Sequence, residues 1–259
     1  FWSEFGLMIK EGAATDFTYR EDLAKLLRFE STALEPGKLT GLDSYLDRMA
    51  SDQKEILFLF GKSRESIEAG PYLEAPAARG LEVLLLTEPV DEYVMQAIRE
   101  FSDKKIVSAD SEDFELEEID QKLKGRSLGK KQTKELCAWL KDSLGEKVSD
   151  VETGDRLIES PVCIVGGDGM GGPSGRRVMQ MMQGMEGAMP APSVKLQINP
   201  RHAIIKGLNG LKEKDGETAS LIAEQLLDNA MASANLLDDP REMIARSYKA
   251  LEKLAASGD

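Results

Sequence analysis

The chain has 259 residues, 41% of them hydrophobic and 31% charged, a balance that suits a folded globular protein and excludes wholesale disorder. Acidic residues outnumber Lys and Arg by 46 to 33, a formal charge of −13, which sets the field against nucleic acid and anionic membranes. No apolar run approaches the ~20 residues that span a bilayer, and the single histidine, His202, is too few for a histidine-based zinc site or a Ser/His/Asp triad with partners in place.

Cys137 and Cys163 lie far apart and outside any CxxC pattern, as buried thiols of a reduced compartment do. The opening Phe1-Trp2-Ser3-Glu4 is neither an initiator methionine nor a signal peptide, so the chain is expected to be a piece of something longer.

In chain order, Arg20 to Thr32 reads as a helix, with Leu23, Leu26 and Leu27 on one face. Pro36-Gly37 breaks it, and Leu42 to Met49 forms a second amphipathic segment. Three short apolar runs follow: Ile56 to Phe60, Val83 to Leu86 and Lys105 to Ser108. Runs of this kind belong to strands buried on both faces. Helical segments around Ser63–Arg79 and Glu88–Phe101 separate them, so a small parallel sheet with right-handed crossovers is expected.

Asp110 to Asp120 holds seven acids, and with Gly125, Ser127 and Gly129 it reads as a domain boundary or as a solvated helix face. Beyond it, Gln132–Leu144 is helical, Lys147–Thr153, Val162–Val165 and Val194–Ile198 are strands, and Arg176–Gly187 is a methionine-rich helix. Two helices close the chain, Ala219–Leu237 and one started by Asp239-Pro240. Two such hairpins from two chains make a four-helix bundle; alternatively both helices cap their own domain. His202 is expected to serve in the first turn of a helix.

Two segments mimic nucleotide sites. Gly61-Lys62-Ser63 ends like a P-loop, but Ile56 stands where the first glycine belongs. Gly167-x-Gly169-x-x-Gly172 matches a dinucleotide fingerprint without the acid ~20 residues later. An α/β nucleotide-binding enzyme domain using the Gly166–Gly175 loop is the alternative reading. Val178, Met181, Met182 and Met185 share a helical face, which is either core filling or an adaptable wall for unfolded protein.

Several segments resemble the heat-shock protein 90 family, including its bacterial form. They are Phe1-Trp2-Ser3-Glu4-Phe5-Gly6-Leu7 through Lys10-Glu11-Gly12, Leu26–Ser31, Arg48-Met49 with Gln53–Ile56, Gly80–Leu86 with Pro89–Tyr93, and Asn199-Pro200-x-His202. The resemblance implies a fragment of an ATP-dependent, homodimeric chaperone active in the stress response. The implied fold is α/β (α+β overall). Residues 1–125 are the C-terminal part of the middle domain: helices in 1–50, a small parallel α/β/α sandwich in 51–110 and a linker over 111–125. Residues 126–259 are a mixed α+β C-terminal domain ending in a helical dimerisation hairpin.

By the same resemblance, Glu92, Tyr93 and Gln96 contact client proteins, and across a cleft so do Val178, Met181, Met182 and Met185. Leu221, Ile222, Leu226, Leu227, Ala230, Met231, Met243, Ile244, Tyr248 and Leu251 form the dimer interface. No residue is assigned to catalysis, a metal or a cofactor: the fragment is expected not to be an enzyme, ATP and magnesium being used by the full-length protein. Implied partners are a second copy, client polypeptides and a bacterial Hsp70-type chaperone. Tetratricopeptide cochaperones, nucleic acid and membranes are not expected, and the implied location is the bacterial cytoplasm.

Overall fold

A five-stranded sheet organises the first half of the chain. Its central strands are β2 (Glu55–Phe60), β3 (Val83–Leu86) and β5 (Lys104–Ser108), each parallel to its neighbour in the order β3-β2-β5. The computed structural model describes residues 1–116, 126–167, 172–183, 193–237 and 239–256, with the backbone alone at 167 and 181–183. Two units are distinguished, Phe1–Glu115 and Leu116–Asp259, and the mixed helix-and-sheet class expected from the sequence holds in both.

In the first unit the apolar runs are strands because both faces of the sheet are covered. Ile56, Phe58, Leu84, Leu86 and Ile106 share a core with α1 (Trp2–Thr15), α2 (Arg20–Leu26), α3 (Leu42–Arg48) and α6 (Pro89–Ile98). Strand alternation sends Leu57, Leu59, Val83 and Leu85 to the opposite face, and all four are buried. There α4 (Arg64–Glu68) lies against β3. The expected single helix over 63–79 is instead α4, a 3-10 turn at Pro71–Leu73 and α5 (Glu74–Ala78). Gly70 takes an extended conformation and Pro71 has no N–H to continue the ladder.

Two edge strands were not anticipated. The helix expected to reach Thr32 stops at Leu26, because Leu27 turns extended at φ −59°, ψ 144°. Phe29 and Thr40 then exchange two backbone hydrogen bonds, at 2.9 and 2.7 Å. This lets β1 (Glu30–Ser31) pair antiparallel with β3. At the other edge, β4 (Glu100–Phe101) returns into β5 through Ser102 and Asp103, both at positive φ (48° and 62°). This is the two-residue hairpin geometry usually signalled by Asn-Gly.

The second unit carries a three-stranded sheet in the order β6-β8-β7, from β6 (Val148–Thr153), β7 (Val162–Gly167) and β8 (Val194–Ile198). The central β8 is parallel to β6 and antiparallel to β7. Around it lie α7 (Lys130–Leu144), α8 (Gly172–Gln183), α9 (Ala203–Leu211), α10 (Gly216–Ser233) and α11 (Arg241–Ala256). Asn199 fastens the loop before β7, donating from Nδ2 to the carbonyls of Ile158 and Ser160 at 3.3 and 3.1 Å. His202 caps α9, its Nδ1 accepting from the Ile204 N–H at 3.1 Å, the first-turn role expected of it. Cys137 is half-buried, with its thiol pushed up to about 11 mainly by burial. Cys163 is buried.

Candidate functional site

Two surfaces carry the residues singled out by the sequence, one in each unit. In the first, α6 is fixed at its start by an ion pair almost closed to water. Pro89 occupies the first turn, and the Glu88 N–H donates to Asp91 Oδ2 at 3.1 Å. Lys10 Nζ, on α1, lies 2.6 Å from Asp91 Oδ1 and 3.1 Å from Glu88 Oε2, with side-chain exposures of 4% for Lys10 and 2% for Asp91. The ammonium also sits 5.8 Å from the Trp2 ring centroid and 5.4 Å from that of Phe29, which adds cation–π attraction. Burial pushes the Asp91 carboxyl above the usual range against the opposing pull of Lys10.

The far end of α6 is held too. Arg20 donates to the carbonyls of Ala13 and Ala14 on α1 and of Ala97 on α6, at 3.0 to 3.1 Å. One guanidinium thus serves the negative ends of two helices. So anchored, α6 exposes Tyr93, at 39%, and Gln96. Glu92 is fully buried; its place on a client surface is corrected, because positions 91, 92, 94 and 95 form the inward arc of the helix.

In the second unit, Val178 is buried at 3% and so belongs to the unit's interior rather than to an exposed wall. The backbone of Met181 and Met182 continues α8, and Met185 lies outside the described residues. Arg177 ties α8 to the end of α10, its Nη1 donating to the Ala234 carbonyl at 2.7 Å.

The closing hairpin shows a sharper division. Leu226, Leu227 and Ala230 of α10 are buried among the described residues of their own unit, which corrects their placement at a dimer interface. Leu221, Ile222 and Met231 are half-buried. By contrast α11 has no buried residue. Ile244, Tyr248, Leu251 and Leu254 are 48%, 63%, 55% and 68% exposed, at the 4-3-3 spacing of one helical stripe.

The bonds that tie α11 to α10 come from two cations. Arg246 Nε and Nη2 donate to Asp228 Oδ2 and Oδ1 at 2.6 and 3.1 Å. Lys253 Nζ reaches Glu217 at 3.0 Å and the Thr218 hydroxyl at 3.1 Å. Met243, Ser247 and Ala250 are the other half-buried positions.

The P-loop lookalike does not fit a phosphate. A Cβ at Gly61 would meet Ile67 Cγ1 at 2.5 Å, so the Ile67 side chain fills the space. Among the described residues no group of three or more His, Cys, Asp or Glu is arranged to hold a metal. No helix among them is long and apolar enough to cross a membrane. The Gly166–Gly175 loop falls largely outside the described residues.

Comparison with known proteins gives one consistent result. A family model described as Hsp90 protein matches residues 1–258. Chaperone protein HtpG of Desulfitobacterium hafniense is 41% identical over 98% of this chain and 41% of its own length. Chaperone protein HtpG of Desulfotalea psychrophila is 40% identical over 98% and 42% respectively. Heat shock protein 75 kDa, mitochondrial, of Rattus norvegicus is 37% identical over 98% and 37%. The chain spans about two fifths of the length of these relatives. The match also corrects the expectation that this stretch is not an enzyme. It runs over nearly the whole chain, and an ATP-dependent family matched at that length gives no ground for ruling enzymatic activity out of it.

Proposed function

The chain belongs to the Hsp90 protein family, and from that premise we propose that it is the later middle part (residues 1–125) and the C-terminal dimerisation part (126–259) of an HtpG-like molecular chaperone. In this reading the whole protein is a cytoplasmic homodimer that binds partly folded clients, draws on ATP and magnesium, and works beside a bacterial Hsp70-type chaperone.

The observation that carries the reading is the outward apolar stripe of α11. A helix that turns Ile244, Tyr248 and Leu251 to water gains little from its own unit, and burying that stripe against a second copy supplies the missing apolar contact. Leu221, Ile222, Met231 and Met243, half-buried on the same hairpin, complete the proposed interface. Client contact is assigned to the exposed Tyr93 and Gln96 on α6, and to Met181, Met182 and Met185, whose flexible thioethers adapt to varied apolar chains.

One experiment tests both parts. The solution mass of this 28.5 kDa chain is measured across a dilution series, and in parallel its suppression of aggregation of a denatured model protein. A mass of twice the chain that dissociates only on strong dilution is expected, with suppression weakened by Tyr93→Ser combined with Met181→Ser and Met182→Ser. A monomer at every concentration refutes the dimer assignment; suppression unchanged in the triple variant refutes the client assignment.

A further inference from the structure

The hairpin contains an inverted helix. In most amphipathic helices the apolar face packs inward and the charged face meets water. In α11 the half-buried positions are Met243, Arg246, Ser247, Ala250 and Lys253, of which Arg246 and Lys253 are bonded to α10, while Ile244, Tyr248 and Leu251 are exposed. With Arg246 as reference, a helix of 3.6 residues per turn puts Lys253 and Ala250 within about 40° of it, and the apolar stripe about 140° to 200° round. Apolar burial alone favours the opposite rotation, with the stripe folded down onto α10.

What opposes that rotation is visible. The facing surface of α10 carries three carboxylates: Asp228 in bidentate contact with Arg246, Glu224 at 3.6 Å from Arg246 Nη1, and Glu217 bound by Lys253. The Arg246 and Asp228 side chains are only 18% and 13% exposed, so water replaces their contact poorly. Turning α11 over would strip Asp228 of its cation beneath an apolar stripe, and would cost Glu224 one of its two, Lys147 at 3.6 Å remaining. Arg246 is the one residue of α11 that touches both.

We propose that Arg246 is the positioning residue that sets the rotation of α11, holding the Ile244–Tyr248–Leu251 stripe away from its own unit and available to a second copy. The inference rests on the self-association reading above, and deepens it: association then depends on a charge pair that is itself no part of the apolar contact. The guanidinium fork matters as well as the charge, because two parallel N–H donors fix an angle that a single ammonium does not.

The test compares four chains by sedimentation across a dilution series, with a second readout that does not need the dimer. That readout is hydroxyl-radical labelling of Tyr248 in samples dilute enough to be monomeric. Arg246→Glu is expected to raise the dissociation constant by about 30-fold or more, as breaking a poorly solvated ion pair does. It should also change Tyr248 labelling. Asp228→Arg combined with Arg246→Glu restores the pair in reverse and is expected to return both readouts to within about 5-fold of the starting chain, as expected if the two charges act chiefly as a pair.

Arg246→Lys, which keeps the charge and folds as readily, is expected to fall between. The inference is overturned if Arg246→Glu associates like the unaltered chain, or if it weakens association while the reversed pair restores nothing and Tyr248 labelling never moves. A monomeric unaltered chain refutes the self-association reading instead. Tyr248 labelling of Arg246→Glu and of the reversed pair then decides the role of Arg246 by itself.

Discussion

Leu251→Ala isolates the apolar stripe from everything else in the hairpin. Leu251 is 55% exposed on a helix with no buried residue, so truncating it opens no cavity in the chain's own core, and alanine is the better helix former. The substitution removes three carbons, worth about 0.8 kcal/mol each when fully buried. With just over half of the side chain left for a partner to cover, the loss is about 1.3 kcal/mol per copy. A two-fold dimer loses it twice, about 2.6 kcal/mol, which corresponds to roughly an 80-fold higher dissociation constant. The assay is sedimentation equilibrium over a concentration range that brackets both dissociation constants, with a melting curve recorded where both chains are monomeric. The expected result is a large shift in association and a melting point unchanged or slightly raised. An unchanged dissociation constant would refute the reasoning. So would a melting point that drops in the monomer, since Leu251 would then be packed within its own unit.

Two further outcomes concern the first unit. Tyr45 is fully buried, donates to the Glu82 carbonyl at 2.7 Å and accepts from the Leu57 N–H and Gln53 Nε2, each at 3.0 Å; burial pushes its hydroxyl up to about 12. The folded state then holds this proton more tightly than the unfolded chain with its ordinary value near 10, so stability contributed by the neutral phenol is full below pH ~10 and lost by pH ~12, about 2.7 kcal/mol in all; urea midpoints measured through that range should fall, and fall less in Tyr45→Phe. Lys10→Met leaves Asp91 buried without its cation and should cost about 3 kcal/mol in a denaturant titration at pH 7, with most of it recovered by adding Asp91→Asn. Because burial already pushes the Asp91 carboxyl upward, the deficit should shrink as pH falls toward the carboxylate range, and a deficit that grows there contradicts the account.

The parallel core was legible because its physics is local. Ile56 to Phe60 and Val83 to Leu86 are continuous apolar runs, and a strand buried on both faces has no other pattern available to it. The edge strands were not legible: Glu30–Ser31 follows a strong helical stripe, and it is the backbone pairing of Phe29 with Thr40 and of β1 with β3 that holds it out of the helix. Ser102-Asp103 carries none of the glycine that usually announces a two-residue hairpin.

The segments that carry the family resemblance turn out to sit at structural constraints. Gly80 adopts φ +67°, and Glu82, two residues on, accepts from Nε and Nη2 of Arg48 at 2.9 and 2.7 Å. A Cβ at Gly6 would press on the Trp2 ring at 3.0 Å, and Lys10 answers Asp91. Motifs of this kind report a fold more directly than a binding surface. Consistent with that, Glu92, inside the Pro89–Tyr93 segment, is buried rather than offered to a client. Periodicity also drew Leu226, Leu227 and Ala230 into the expected interface, since a stripe records which residues are apolar and not which neighbour covers them.

The same ambiguity explains why α11 is informative. Its sequence, read alone, is an ordinary amphipathic helix whose apolar stripe fits either its own domain or a four-helix bundle with a second chain. The structure instead spends that contact on Arg246, Lys253 and three carboxylates of α10. The Lys253–Glu217 pair, with side chains 37% and 87% exposed, contributes modestly to stability, and the gain of the less exposed Arg246–Asp228 pair is offset by its desolvation, whereas leaving Ile244, Tyr248 and Leu251 in water forfeits several kcal/mol of burial within the chain. On the proposed reading, a hairpin arranged this way gives up stability as a monomer and regains it on association, which would link the order of its final helix to the concentration of its partner. In that reading charge sets the angle and apolar surface supplies the affinity. Because the two tasks fall on opposite faces of one helix, substitutions on either face separate them.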